Sequence, residues 1–131
     1  MDELPLLLIV DGANVVGSVP DGWWRDRFGA AERLRDRLTV IAKEGIAGEP
    51  GPVEVLLVVE GAARGVGSVP GVTVETAPGS GDDLIVARVR ETAGRTCVVV
   101  TADRELRRRV EAHGARYVGP RAVRPAEPDG V

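Results

Sequence analysis

The chain has 131 residues, a mass of 13.8 kDa and 44% hydrophobic side chains, which suits one domain around a single core and excludes two. Lys and Arg number 17 against 20 Asp and Glu, for a net charge of -3. That balance excludes a polycationic nucleic-acid binder, whose grip comes from surplus basic groups facing phosphates, but not an enzyme acting on nucleic acid.

Residues 6–10, Leu-Leu-Leu-Ile-Val, form a short apolar run that stops at Asp11, Gly12, Ala13 and Asn14. A strand buried on both faces reads this way. The run is far short of the ~20 residues that cross a bilayer, and acids flank it, so neither a signal peptide nor a membrane anchor is expected. After a turn-rich stretch, Trp24, Phe28, Ala31, Leu34, Leu38 and Ile41 recur at helical spacing with charges between them, predicting an amphipathic helix that puts Trp24 in its core stripe. Residues 45–52 break it.

A second buried strand is predicted over 53–59 and again ends on an acid, Glu60. Residues 61–71 carry four glycines and barely allow a crossover helix, which leaves the pairing of the next piece, 72–76, open. Pro78, Gly79, Ser80 and Gly81 turn the chain into a helix over 82–91 that starts with Asp82 and Asp83, acids that complement the helix dipole.

Residues 96–100 are the most β-prone segment and end in Thr101, Ala102 and Asp103. They hold the single cysteine, Cys97, which excludes an internal disulfide framework and makes a reducing cytoplasm the expected location. A helix over 104–112, a stop at Gly114 and a short strand over 116–118 complete the domain, expected to span 1–118. From residue 119 the Pro- and Gly-rich chain reads as a flexible tail, 119–131. The alternation predicts an α/β fold with a mostly parallel sheet of four to five strands and helices on both faces.

In such a sheet Asp11, Glu60, Asp82, Asp83 and Asp103 all lie on the edge at the carboxyl ends of the strands, where open α/β sheets bind ligands. A chain branching both ways from its first strand places Asp11 in the middle. Converging carboxylates repel one another unless a cation neutralises them. One Cys and one His offer no rival soft ligand set, so the expected ion is Mg2+ or Mn2+. A metal held by carboxylates activates water and offsets phosphoryl charge, so phosphodiester hydrolysis needs no nucleophilic side chain. Each acid taken singly also reads as a helix cap or a solvated loop charge. Asn14 is expected to bond Asp11 or a substrate phosphate, Thr101 to orient a carboxylate, and Ser80 to help similarly; all three also read as turn or cap residues. His113, in the last turn of a helix, reads as a helix-end residue.

Three segments, residues 8–15 (LIVDGANV), 81–85 (GDDLI) and 99–106 (VVTADREL), resemble the three motifs of the NYN branch of PIN-like nucleases, particularly the bacterial YacP-like group. The likeness spans residues 6–118. It implies a three-layer PIN-like fold and metal-dependent endonucleolytic cleavage of RNA, with RNA met free or in a ribosome or another ribonucleoprotein. By position, Asp11, Asp82 and Asp103 match the motif acids, Asn14 and Thr101 their polar companions, and Asp83 and Glu60 stand as further metal ligands. Some relatives carry another acid beyond the last motif, where Arg104 and Glu105 follow here.

Rival readings fail on residues. A phosphate-accepting receiver domain needs paired acids after the first strand and a late lysine, whereas the only lysine is Lys43; a haloacid dehalogenase phosphatase needs an acid where Ala13 stands. No P-loop or dinucleotide glycine spacing occurs. A non-catalytic RNA- or ribonucleoprotein-binding module and the nuclease of a toxin and antitoxin pair stay open. Substrate contacts fall to Arg104, Arg107 and Trp23, with Arg25 and Arg27 near the tryptophans. Setting the five strand-end acids aside leaves 15 acids against 17 basic residues, a mildly basic remainder.

Overall fold

The computed structural model describes residues 4–124. Strand β1 (Leu7–Asp11) leads into a short helix, α1 (Gly12–Val16), a 3-10 turn (Trp23–Arg25) and the long helix α2 (Arg27–Glu44). A small hairpin, β2 (Gly45–Ile46) and β3 (Glu49–Pro50), precedes β4 (Glu54–Val59), a 3-10 turn (Gly61–Ala63) and β5 (Val72–Thr76). Then follow α3 (Gly81–Glu91), β6 (Cys97–Val100), α4 (Arg104–Glu111), β7 (Arg116–Val118) and a 3-10 turn (Pro120–Ala122).

The main sheet has the order β5-β4-β1-β6-β7, and every neighbouring pair is parallel. Strand β1 therefore lies at the centre and the chain branches to both sides of it, the arrangement that puts Asp11 in the middle. Period-two alternation sorts each central strand between two cores. Leu8, Val10, Val55, Leu57, Val98 and Val100 face α1 and α2, while Leu7, Ile9, Leu56, Val58, Cys97 and Val99 face α3 and α4. Helices thus cover both faces, giving three layers. No described helix is long and apolar enough to cross a membrane.

The open pairing of residues 72–76 resolves as an edge strand parallel to β4, with Val55 opposite Val72. No α-helix bridges the two. Val66 and Val69 instead pack into the core on the α2 side, so the connection itself supplies the apolar cover that a crossover helix normally brings.

Two expectations change. The predicted stripe begins too early: the Asp26 carboxylate accepts the Gly29 N–H at 2.9 Å, caps α2 and starts the helical period at Arg27. Trp24 falls outside that period and is 49% exposed, while its neighbour Trp23 packs against the core. The predicted tail also starts too early. Val123 is fully buried in the α2-side core, and the Arg124 guanidinium donates to the Val16 carbonyl at 3.1 Å, so residues 119–124 belong to the domain. The remainder of the predicted tail, 125–131, lies outside the described residues.

Candidate active site

Asp11 ends the central strand and is buried, 5% exposed. Its Oδ2 accepts the Thr101 hydroxyl at 2.8 Å across the gap to the end of β6, and its Oδ1 faces the Asn14 N–H at 3.4 Å, capping α1. Its carboxyl is raised from 3.8 to about 6, chiefly by burial, with the two hydrogen bonds pulling it down and the charges of Asp82 and Glu60 pushing it up. A close approach shapes this corner: a Cβ on Gly12 would lie 2.6 Å from the Val58 carbonyl, so only glycine lets α1 leave the sheet beside β4.

Thr101 is fully buried and bonds twice, donating to Asp11 and accepting the Asp103 N–H at 3.1 Å. It orients a carboxylate, as its position predicts. Asp103 in turn accepts the Leu106 N–H at 3.0 Å and caps α4. Of the roles open to Asn14, a side-chain bond to Asp11 is not the one seen. The Asn14 side-chain oxygen accepts the Ala102 N–H at 2.8 Å, so its amide ties the β1 turn to the β6 turn instead of reaching Asp11.

Glu60, at the end of β4, accepts the Gly81 N–H at the start of α3. A Cβ on Gly81 would come within 2.5 Å of that carboxylate, so a larger residue would turn Glu60 away from the N–H. Asp82 follows, half-buried, and burial raises its carboxyl, helped by the charges of Asp103 and Glu60 and opposed by Arg109. Ser80 caps this helix, accepting the Asp82 N–H at 3.1 Å. Asp83 instead points outward: it is exposed and pairs with Arg109 at 3.0 Å.

Asp11, Glu60, Asp82 and Asp103 therefore feel one another's charge at one edge, while Asp83 is spent on an arginine. Among the described residues no three of His, Cys, Asp or Glu converge closely enough to hold a metal ion as their side chains stand. The metal-ready set expected of Asp11, Glu60, Asp82, Asp83 and Asp103 is in that respect not assembled. The physical reason is that Asp11, Asp103 and Glu60 are each turned toward a helix N-terminal N–H.

Of the expected substrate contacts, Arg104 is exposed at the start of α4. Arg107 is engaged within the fold, donating to the Thr101 carbonyl at 2.8 Å and lying 4.5 Å from the Tyr117 ring centroid. Trp23 is half-buried and borders a cavity beside Glu60. Gly12 and Gly81 are the site residues that sequence reasoning missed. The signals were a glycine directly after a strand-end acid and a Gly-Ser-Gly run before a helix.

Two crystal structures of Rae1 (YacP) from Bacillus subtilis, one of a substituted variant, superpose with TM-scores of 0.67. They cover 89% and 94% of this chain at 20% and 19% identity, and the match spans 71% of each of those chains. The chain has the YacP fold. This is the PIN-like three-layer arrangement that the motifs imply, and β1 with Asp11 stands at its centre. No protein-family model and no curated protein matches the chain.

Proposed function

We propose that the chain is a divalent-metal-dependent endoribonuclease that hydrolyses phosphodiester bonds of single-stranded RNA at the carboxyl edge of its sheet. The observation that carries this is Asp11: a buried carboxylate raised to about 6, hydrogen-bonded only by neutral donors, beside further acids. Such a group calls for a cation. The motif resemblance to NYN nucleases and the shared YacP fold support the reading.

The donor set fits a hard divalent ion in its chemistry, all carboxylate oxygens with no competing soft ligands. Asp11, Asp82 and Asp103 would hold Mg2+ or Mn2+, with Glu60 as a further oxygen donor; Asp83 is the weakest member because Arg109 occupies it. When bound, the ion supplies charge for the scissile phosphate and lowers the pKa of an attacking water. The chain does the positioning. Thr101 fixes the Asp11 carboxylate, Asn14 locks the β1 and β6 turns together, and Arg104 is available to a phosphate at the start of α4.

One observation favours a second reading, an RNA- or ribonucleoprotein-binding module that does not cut: the acids do not close around a single point. A panel of end-labelled single-stranded RNAs, incubated with Mn2+, Mg2+ or EDTA, separates the two. Cleavage with metal and none with EDTA is expected. Equal cleavage in EDTA removes the metal from the mechanism, and binding without turnover under every metal establishes the second reading.

A further inference from the structure

Next to the acids lies a cavity of about 180 Å3, bordered by Gly12, Trp23, Arg27, Ala31, Glu60 and Ala62. It begins where the site ends, since Gly12 follows Asp11 in the chain and Glu60 is the acid at the end of the neighbouring strand. It is well below the ~300 Å3 at which pockets for drug-sized ligands begin, a size for one small planar group.

Its chemistry is mixed in an informative way. The walls are mostly apolar, and Trp23 contributes a half-buried ring with the Arg27 guanidinium 5.4 Å from its centroid. Among the described residues neither the Trp23 indole N–H nor the Arg27 guanidinium has a hydrogen-bond partner, so donors stand ready at the rim. Glu60 borders the cavity at the turn after β4, but its carboxylate is engaged with the Gly81 N–H at the start of α3. A phosphate is disfavoured by the nearby charges of Glu60 and Asp11, whereas a flat heterocycle carrying acceptors matches the donors.

The wall is also held in place. The Asp21 carboxylate accepts the Trp23 N–H at 3.2 Å and is itself paired with Arg124, which anchors on α1. Trp24 meets Trp23 edge-on, with centroids 5.9 Å apart, and does not border the cavity.

We propose that the cavity between Trp23 and the turn after β4 seats one unpaired nucleobase of a single strand whose neighbouring phosphate lies over the acids. An aromatic ring with a guanidinium beside it is the combination that holds bases of single strands by stacking. The placement of the phosphate rests on the nuclease reading; the base pocket stands on its own lining.

The test uses a Trp24→Phe background, in which Trp23 is the only tryptophan, and single-stranded RNA hexamers that are intact or abasic at each position in turn. Binding is followed in EDTA and in Ca2+ by tryptophan fluorescence and by anisotropy of labelled RNA. Quenching of Trp23 is expected, with one abasic position weakening binding about 5- to 150-fold and the others near neutral. Ala62→Phe, at an exposed position, plugs the cavity without touching the core; it should weaken the intact hexamer similarly and erase the abasic effect. Equal affinity for all abasic hexamers, or unchanged binding by Ala62→Phe, overturns the pocket. If metal-dependent cleavage persists in that case, the nuclease reading survives the loss. Base-selective binding by a protein that cuts RNA under no metal upholds the pocket and sinks the nuclease.

Discussion

The two ends of the central sheet treat acidic residues in opposite ways. At the amino ends of the strands, Glu54 opens β4 and pairs with Arg95 at 2.7 Å, and the same guanidinium donates to the Pro5 carbonyl at 2.8 Å. At the carboxyl ends, Asp11 receives a threonine hydroxyl and a backbone N–H, no cation, and its carboxyl is driven up. Of the arginines near that end, Arg107 is committed to the Thr101 carbonyl and Arg109 to Asp83, while Arg104 is exposed and does not reach Asp11. One end of the sheet satisfies its charges from within. The other holds unneutralised charge in a place where desolvation makes it costly, which is the condition under which an external cation binds with most effect.

The sharpest way to break this contrast is Asp11→Asn, which removes the central charge; RNA cleavage with Mn2+ should fall by more than about 100-fold, since even an outer-shell residue is worth ~10 to 100-fold. Retained turnover would mean the acids are only caps. Next is Thr101→Val, which keeps the shape but strips Asp11 of its hydroxyl donor and the Asp103 N–H of its acceptor. Activity should drop ~10 to 100-fold, and urea unfolding should register a loss of ~1 to 3 kcal/mol.

Stability against pH gives a third, independent check on the charged end. The Asp11 carboxyl rises from 3.8 unfolded to about 6 folded, so between those values the folded chain keeps a proton that the unfolded chain has lost. Stability contributed by this group is therefore full below about pH 4 and declines as pH rises through 6. Without metal, Asp11→Asn should be more stable than the parent at pH 7.5, by up to ~3 kcal/mol, and equal to it near pH 4. The same difference at both pH values would show that burial does not penalise the charge. The smallest effect belongs to the satisfied end: Glu54→Gln should cost under ~1 kcal/mol and leave cleavage unchanged, because the Glu54 carboxylate is exposed and its pair with Arg95 lies at the surface.

The layout of the sheet was legible because each buried strand ends abruptly on an acid, and a parallel sheet must bring such ends to one edge. The caps were legible singly, but not their consequence. Nothing in the pattern of residues 24–41 announces that Asp26 resets the helical period, and that reset exchanged the roles of Trp23 and Trp24. The Asn14 bond to Ala102 was not legible because its partner, the Ala102 N–H, comes from a turn 88 residues away. The cavity was hidden for a similar reason: its walls come from α1, α2, the Trp23 turn and the turn after β4, and small residues such as Gly12 and Ala62 carry no signal by themselves. Composition misled at the carboxyl terminus, where one buried valine and one arginine outweigh the surrounding prolines and glycines.

Residues 119–124 continue the packed structure past the last strand. Arg124 spans three attachments, the carbonyls of Val15 and Val16 and the carboxylate of Asp21, and Asp21 carries the Trp23 backbone. A chain cut after residue 118 would keep every strand and every acid of the site. It would lose the strap that fixes the loop between α1 and α2, so Arg124 ties the segment after the last strand to the wall of a cavity built from the first half of the chain.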